Sequence, residues 1–198
     1  ADPSTIPSAI VIDGQALATT PMDILLSTAM GQMRIAVETI YSTRHNPISD
    51  SMALHAISML MEYLPNCPGL DLDCLLNTKT AASLASLAGV GGLGLNTATA
   101  HHVGGLYDVP HGDANAIMLP QTMRFNAEAS AARQALIADA MGVKRPGMTD
   151  LDAALAAADA MERLRESLGL PGRLRDVGVP EDGLELIAAA TLHDRALA

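Results

Sequence analysis

Long segments rich in alanine, leucine and methionine, separated by short proline and glycine turns, restrict what this chain can fold into. These residue types favour helix, and the aromatic residues that favour strands make up only 2% of the chain. The pattern predicts helices over residues 21–42, 47–64, 72–88, 127–141, 150–168 and 181–193. The connections are short enough for antiparallel neighbours, so we expect an all-α helical bundle.

The first twenty residues differ from the rest of the chain. The apolar run Ile10, Val11 and Ile12 predicts one short strand, which ends at a turn formed by Asp13 and Gly14. A single strand leaves an unpaired edge, so we expect a preceding domain or another chain to cover it. The chain is therefore predicted to be one helical domain, with an extended lead-in over 1–20 and the bundle over 21–198.

The charge and the apolar pattern exclude several classes of partner. A formal net charge of −10 argues against nucleic acid and against anionic membrane surfaces. No apolar run reaches the ~18 residues that span a bilayer, and no signal peptide is visible, so we expect a cytoplasmic protein. Cys67 and Cys74 flank a proline-glycine turn. A disulfide fits this spacing, but free thiols are the expectation in the cytoplasm.

The segment over residues 93–126 contains three of the six histidines, His101, His102 and His111. Asn96 is predicted to cap a helix that begins near Thr97 and weakens at two successive glycines. An extended exit then leads to a new helix that begins at His111. Two helices joined in this way would point His101 and His111 into one cleft, where imidazoles can bind a metal or move a proton. Imidazoles bonded to backbone carbonyls would produce the same spacing without function.

The sequence HHVGGLYDVPHG followed by NAIMLPQTMRFN resembles the signature of the iron-containing alcohol dehydrogenase family, on its maleylacetate reductase branch. Three further segments resemble the same family and occur in the family's order along the chain. They are IPSAIVIDGQALATTP, AVETIYSTRHNPISDSMALHAISML and SLGLPGRLRDVGVPEDGLELIAAAT. The resemblance implies the C-terminal helical domain of that family.

The resemblance also implies two cofactors. In the family, an N-terminal domain binds NAD(P), and the helical domain holds a divalent iron, or sometimes zinc, through one aspartate and three histidines. The nucleotide-binding domain is absent from this sequence, because no glycine-rich phosphate loop follows a strand. The glycines over residues 89–94 follow a predicted helix instead. No cofactor is therefore expected on this chain.

The positions that match the family's metal ligands have largely changed. They are Gly31, Ile35, Thr97 and His111, and only His111 is a ligand of the family's type. The resemblance therefore implies a degenerate metal site with no metal ligands assigned. Members of the maleylacetate reductase branch are described as working without metal.

Five side chains are the candidate catalytic residues: His101, His111, His102, Thr97 and Arg34. Arg34 interrupts an apolar helix face near the lost ligand positions, where a guanidinium could bind a carboxylate. A solvent-facing arginine is the other interpretation. Glu38 is expected to cap or pair within the bundle.

The remaining histidines are predicted to have structural positions. His45 is expected in a loop, His55 in the core, and His193 near a frayed helix end.

Three hypotheses for the function follow. The first is the helical domain of an oxidoreductase that acts on a small carbonyl or carboxylate compound. The second is a non-redox hydratase, hydrolase, isomerase or decarboxylase that reuses the histidine-lined cleft without NAD or metal. The third is a binding module without catalysis. Each leaves an apolar surface that a homo-oligomer or a separate partner chain is expected to cover.

Overall fold

Capped helices make up most of the computed structural model, which describes residues 9–69 and 71–197. Those ranges hold eight α-helices and no strand, so the predicted all-α bundle is confirmed. The helices are α1 (Gly14–Leu17), α2 (Met22–Tyr41), α3 (Pro47–Tyr63), α4 (Leu72–Ala88), α5 (Leu95–Tyr107), α6 (His111–Ala140), α7 (Asp150–Ser167) and α8 (Gly183–Thr191). Short 3-10 turns cover Leu64–Gly69, Gly89–Gly91, Leu174–Val177 and Arg195–Leu197.

Side-chain caps set the start of several helices. Asn46 accepts hydrogen bonds from the amides of Ile48 and Ser49, both at 3.0 Å, and so begins α3. Thr149 and Asp152 form a reciprocal capping box that begins α7. Asp71 accepts from the amide of Cys74 and begins α4. These caps satisfy amides that have no partner within their own helix, which explains why α3, α4 and α7 begin within a residue of the predicted positions.

The lead-in is not a strand. Residues 9–13 form no regular element, and Val11 is 92% exposed. Asp13 accepts from the amides of Gln15 and Ala16 and caps α1, which lies against α4. The predicted strand is wrong because residues 9–13 have no neighbouring strand to pair with, whereas Asp13 supplies a local cap.

The helix predicted over 127–141 is the second half of α6. The element from His111 to Ala140 consists of two helical parts that meet at a kink at Ser130, whose φ of −130° and ψ of 24° are not helical. The Ser130 hydroxyl donates to the carbonyl of Asn126 at 2.7 Å and accepts from Gln134 at 3.0 Å. A serine that bonds back to its own helix bends the helix without ending it.

The core is organised around α2, which packs against α3, α4 and α6. Met30, Met33 and Ile40 of α2 are fully buried, as are Ile57 and Leu60 of α3. Alanines let α6 and α7 approach closely. A smaller apolar cluster holds α5, the start of α6 and α8 together. It consists of Ala100, Val103, Val109, Ala114, Val179 and Ile187.

Both cysteines are free, as predicted. Cys67 is buried, and its sulfur lies 3.2 Å from the hydroxyl of Thr78. None of the helices within residues 9–69 and 71–197 combines the length and apolarity needed to cross a membrane.

A close backbone contact sets the start of α6 against α2. A Cβ atom added to Gly112 would lie 2.6 Å from the carbonyl carbon of Ser27 and 2.7 Å from its oxygen. Real Cβ atoms do not approach a backbone so closely, so only glycine permits this crossing. Because Gly112 directly follows His111, the contact also positions that histidine.

We expect Gly112→Ala to lower the free energy of unfolding by about 1–3 kcal/mol, since the methyl group would force α6 away from α2. Gly105→Ala is the matched control, because a Cβ there meets nothing within 4 Å and alanine favours helix. Urea unfolding of both variants measures the difference. Equal stabilities of the two variants would contradict the close crossing.

Candidate functional site

The corner between α5 and α6 brings two candidate histidines together. The rings of His101 and His111 are stacked, with centroids 5.7 Å apart and planes 20° apart. The chain reverses at Asp108, which has a left-handed φ of 54°. The segment over residues 107–110 was predicted to be extended, and this prediction is wrong for its first two residues. Tyr107 still belongs to α5, and Asp108 forms the C-terminal cap of that helix.

Asp194 binds the histidines of α5 from the C-terminal segment. Its Oδ2 lies 3.2 Å from Nδ1 of His101, with hydrogen-bonding geometry, and 3.2 Å from Nε2 of His102. The pKa of Asp194 is lowered, chiefly by the hydrogen bond from the Ala196 amide and further by the two histidines. The sequence offered no signal for this residue, because it lies far along the chain from both imidazoles.

Glu38 of α2 is a fully buried carboxylate at the N-terminus of α5. Its Oε1 accepts from the amides of Asn96 at 2.7 Å and Thr97 at 3.2 Å. The Thr97 hydroxyl donates to its Oε2. These bonds satisfy amides that have no acceptor within α5. The positive end of the helix dipole also favours the negative charge of Glu38.

Because Glu38 caps α5, the predicted role of Asn96 is wrong. The helix begins at Leu95 with Gly94 as its N-cap, so Asn96 already lies inside it. The Asn96 side chain is buried and its Nδ2 donates to the carbonyl of Asn115 at 3.3 Å. It therefore joins α5 to α6.

Arg34 points into the molecule and is only 6% exposed, so the solvent-facing interpretation is wrong. Its Nη1 donates to Oγ1 of Thr97 at 2.6 Å and lies 3.8 Å from Oε2 of Glu38. Burial lowers the pKa of Arg34, and the charge of Glu38 opposes that effect. The guanidinium, the hydroxyl and the carboxylate thus form one buried network between α2 and α5.

The pKa of His111 is lowered, first by burial, then by the positive charge of Arg34 and by His101. The imidazole itself is exposed at the surface. A lowered pKa favours the neutral imidazole, which can both donate and accept a hydrogen bond.

Gly31, Ile35 and Thr97, three of the four positions that the resemblance matches to the family's metal ligands, lie in non-ligand surroundings. Gly31 has no side chain and lies beside Asn115, while Ile35 packs toward Gly89. The hydroxyl of Thr97 is bonded to Arg34 and Glu38. Across the described ranges, no cluster of three or more histidine, cysteine, aspartate and glutamate side chains could hold a metal ion.

The other histidines lie outside the site. His45 is in the loop before α3, as predicted, with Nδ1 3.2 Å from Asp50. His55 is exposed on α3, so its predicted core position is wrong: Ala56 and Ile57 turn the opposite face of that helix to the core. His193 is exposed just after α8, as predicted.

A groove of about 620 Å³ adjoins the buried network. Glu38 reaches its wall, and Arg44 and Arg195 provide positive charge there. The turn over residues 89–95, the kink of α6 and the last 3-10 turn complete the lining. The glycine-rich turn follows α4, so it does not cradle a phosphate after a strand in the manner of a dinucleotide site.

We expect Glu38→Gln to lower the free energy of unfolding by about 3 kcal/mol, because it leaves the buried charge of Arg34 without a nearby carboxylate. Glu128→Gln is the matched control, since Glu128 is exposed, and it should change stability by less than about 0.5 kcal/mol. Chemical unfolding followed by circular dichroism compares the two. A similarly small effect at both positions would show that Glu38 is not a capping charge.

Arg34→Gln should raise the pKa of His111, since the substitution removes one of the charges that disfavour the imidazolium. Burial persists in the variant, so the pKa should stay below the ordinary histidine value. An NMR titration of the imidazole resonances measures it, with the exposed Arg163→Gln as the control. An unchanged His111 pKa would place the guanidinium away from the imidazole.

Comparison with known proteins accounts for this architecture. The model of the Fe-containing alcohol dehydrogenase family, C-terminal, matches residues 25–198. The 1,3-propanediol dehydrogenase of Citrobacter freundii is 36% identical over 192 residues, which cover 96% of this chain and 50% of that protein. The chain therefore spans about half the length of the curated relatives it matches.

Solved structures of the same family share this fold. The crystal structure of 1,3-propanediol oxidoreductase has a TM-score of 0.90 at 36% identity, and the match covers 93% of this chain and 49% of that one. Maleylacetate reductase from Rhizobium sp. strain MTP-10005 shares the fold, with a TM-score of 0.86 at 23% identity over 100% of this chain and 54% of that one. The chain belongs to the Fe-containing alcohol dehydrogenase family and corresponds to its C-terminal helical part.

Proposed function

We propose that this chain forms the substrate-binding and proton-donating part of an oxidoreductase that reduces a small carbonyl compound. The observation that carries the proposal is the stacked pair of His101 and His111, with Asp194 hydrogen-bonded to His101. Relatives named as 1,3-propanediol dehydrogenase support a redox reaction between an alcohol and a carbonyl compound. Family membership makes this the first choice among the candidate functions.

In this proposal His101 is the proton donor. When both of its ring nitrogens are protonated, Nδ1 donates to Asp194 and Nε2 remains free to donate to the substrate oxygen. Asp194 positions the ring and stabilises its positive charge. His111, neutral and stacked on His101, completes the wall against which the carbonyl compound lies.

The residues present do not fit the iron that the family implies. Of the matched positions, Gly31 and Ile35 offer no ligand atom, and the Thr97 hydroxyl is already bonded at short range to Arg34 and Glu38. The positive charge of Arg34, which donates to Thr97, would also repel a metal cation at that position. We therefore propose a degenerate metal site, at which side chains of this chain act on the substrate oxygen in place of a metal.

The residues of this chain do not fit a dinucleotide either, because the glycine-rich turn follows α4 and not a strand. We propose that the nucleotide-binding domain lies outside this chain, as the coverage of only about half of its relatives suggests. A reduced nicotinamide held there would supply the hydride. The chain's own residues would bind the carbonyl compound and deliver the proton.

The second candidate is a non-redox reaction at the same cleft. The replacement of the ligand-position side chains by Gly31, Ile35 and Thr97 favours it, because His101 and His111 would then act as an acid and a base for addition or isomerisation. Turnover of a small carbonyl compound without NADH or NADPH would support this candidate over reduction.

We expect His101→Gln to lower kcat for carbonyl reduction by about 100-fold in the protein that contains this chain, since it removes the proton donor. Asp194→Asn should cause a smaller fall and shift the pH profile, because the amide still accepts from Nδ1 but carries no charge. His55→Gln is the matched control and should keep full activity, since His55 is exposed on α3. Reduction is followed as NADH or NADPH oxidation. Equal activity of the His101 and His55 variants would reject the assignment.

A further inference from the structure

Arg34 is a buried cation whose hydrogen-bonding capacity is mostly unused. A guanidinium has five N–H donors. In the described part of the chain, Arg34 makes one hydrogen bond, from Nη1 to Thr97 at 2.6 Å, and its buried Nε has no partner. Burial of a charged group with so few partners is costly, so its position needs an explanation beyond packing.

The nearest carboxylate does not provide that explanation. Glu38 lies 3.8 Å from Nη1, which is an ion-pair distance without a hydrogen bond. Both oxygens of Glu38 are already engaged, one by two amides of α5 and the other by the Thr97 hydroxyl. Neither oxygen of Glu38 therefore accepts a hydrogen bond from the guanidinium, and the buried Nε–H of Arg34 is left without an acceptor in the described part of the chain.

Two further buried atoms beside this network also lack partners within residues 9–69 and 71–197. They are Oδ1 of Asn96 on α5 and Oδ1 of Asn115 on α6. The two asparagines are joined through the bond from Asn96 Nδ2 to the Asn115 carbonyl, and Asn115 Nδ2 donates to the carbonyl of His111 at 2.7 Å. Hydrogen bonds connect Arg34 to Thr97 and connect Asn96 through Asn115 to His111, so these unpartnered atoms of α2, α5 and α6 belong to neighbouring parts of one network, and a polar ligand would satisfy them.

We propose that Arg34 is the electrophile of this site: its guanidinium donates to the carbonyl oxygen of the substrate and stabilises the negative charge that forms there during reduction. The inference rests on the proposed function. A reduced nicotinamide held outside this chain would supply the hydride that forms the new C–H bond. The π electrons of the carbonyl group would then move to the oxygen bonded to Arg34, and that oxygen would take the proton of His101 to give the alcohol.

A guanidinium suits this role for two physical reasons. It keeps its proton where burial would neutralise an ammonium, so the positive charge persists at neutral pH. It is also held in place by Thr97 before the substrate arrives, so no reorganisation is needed as the charge develops. Donors arranged in this way around a developing oxyanion each contribute about 100- to 1,000-fold to kcat.

The test compares kcat and KM in the protein that contains this chain. Arg34→Met should lower kcat for a small aldehyde by about 100-fold or more with little change in KM, and Arg34→Lys should recover part of the loss. Arg163→Met is the matched control, because Arg163 is exposed on α7. A variant that raised KM for carboxylate-bearing substrates alone, with kcat unchanged, would make Arg34 a carboxylate anchor and overturn the proposal.

Chemical rescue distinguishes the loss of the positive charge of Arg34 from a disturbance of the fold. Guanidinium ion added to the Arg34→Ala variant should restore activity in a saturable manner, while equal concentrations of sodium ion should not. The circular dichroism spectrum of the variant establishes that it is folded. A folded variant that guanidinium does not rescue, with the Arg34→Lys variant as inactive as Arg34→Met, would reject the electrophilic role.

A binding measurement distinguishes a ligand site at Arg34 from the proposed carbonyl reduction. Formate serves as a stable probe with a negatively charged oxygen, and the ¹⁵N–¹H resonance of Arg34 Nε reports its binding. If the protein reduces no carbonyl compound but formate shifts this resonance, the proposed function fails and the anionic-oxygen site stands. If reduction proceeds while Arg34→Met keeps full kcat and formate leaves the resonance unchanged, the inference fails alone.

Discussion

The buried carboxylate of Glu38 is the interaction on which the architecture of the site depends. It joins the central helix α2 to the N-terminus of α5 by accepting from two backbone amides and from the Thr97 hydroxyl. A carboxylate is stable there because the amides have no partner in α5 and the helix dipole is positive at that end. The direction of α5, and with it the position of His101 one turn beyond Thr97, follows from this bond.

The same interaction determines the electrostatics of the site. Both oxygens of Glu38 accept hydrogen bonds from α5, so Arg34 has this carboxylate at ion-pair distance without a hydrogen bond to it, and its buried Nε has no partner among the described residues. Burial lowers the pKa of His111, and the charge of Arg34 lowers it further, whereas Asp194 binds His101 and His102. The stacked pair of His101 and His111 thus has a carboxylate hydrogen-bonded to one imidazole and a lowered pKa at the other.

The helices themselves were largely predictable, because local signals define them. Asn46 and Pro47 begin α3, and Thr149 with Asp152 begins α7, through bonds between residues a few positions apart. The errors occurred where distant residues compete with local signals. Asn96 is a good cap by residue type, yet Glu38 from another helix takes that role. The run at Ile10 to Ile12 has strand propensity but no strand to pair with in residues 9–13.

The amino-acid sequence by itself determined the helical class, the family and the corner that carries His101 and His111, since composition, turn residues and motif spacing are local properties of the chain. Only the tertiary structure decided that Arg34 is buried, that Glu38 caps α5 and that Asp194 binds the histidines. Each of these depends on side chains that lie far apart in sequence and meet only when α2, α5 and the C-terminal segment pack together. Burial then sets their charges, because the cost of removing a charge from water depends on partners that no local pattern specifies.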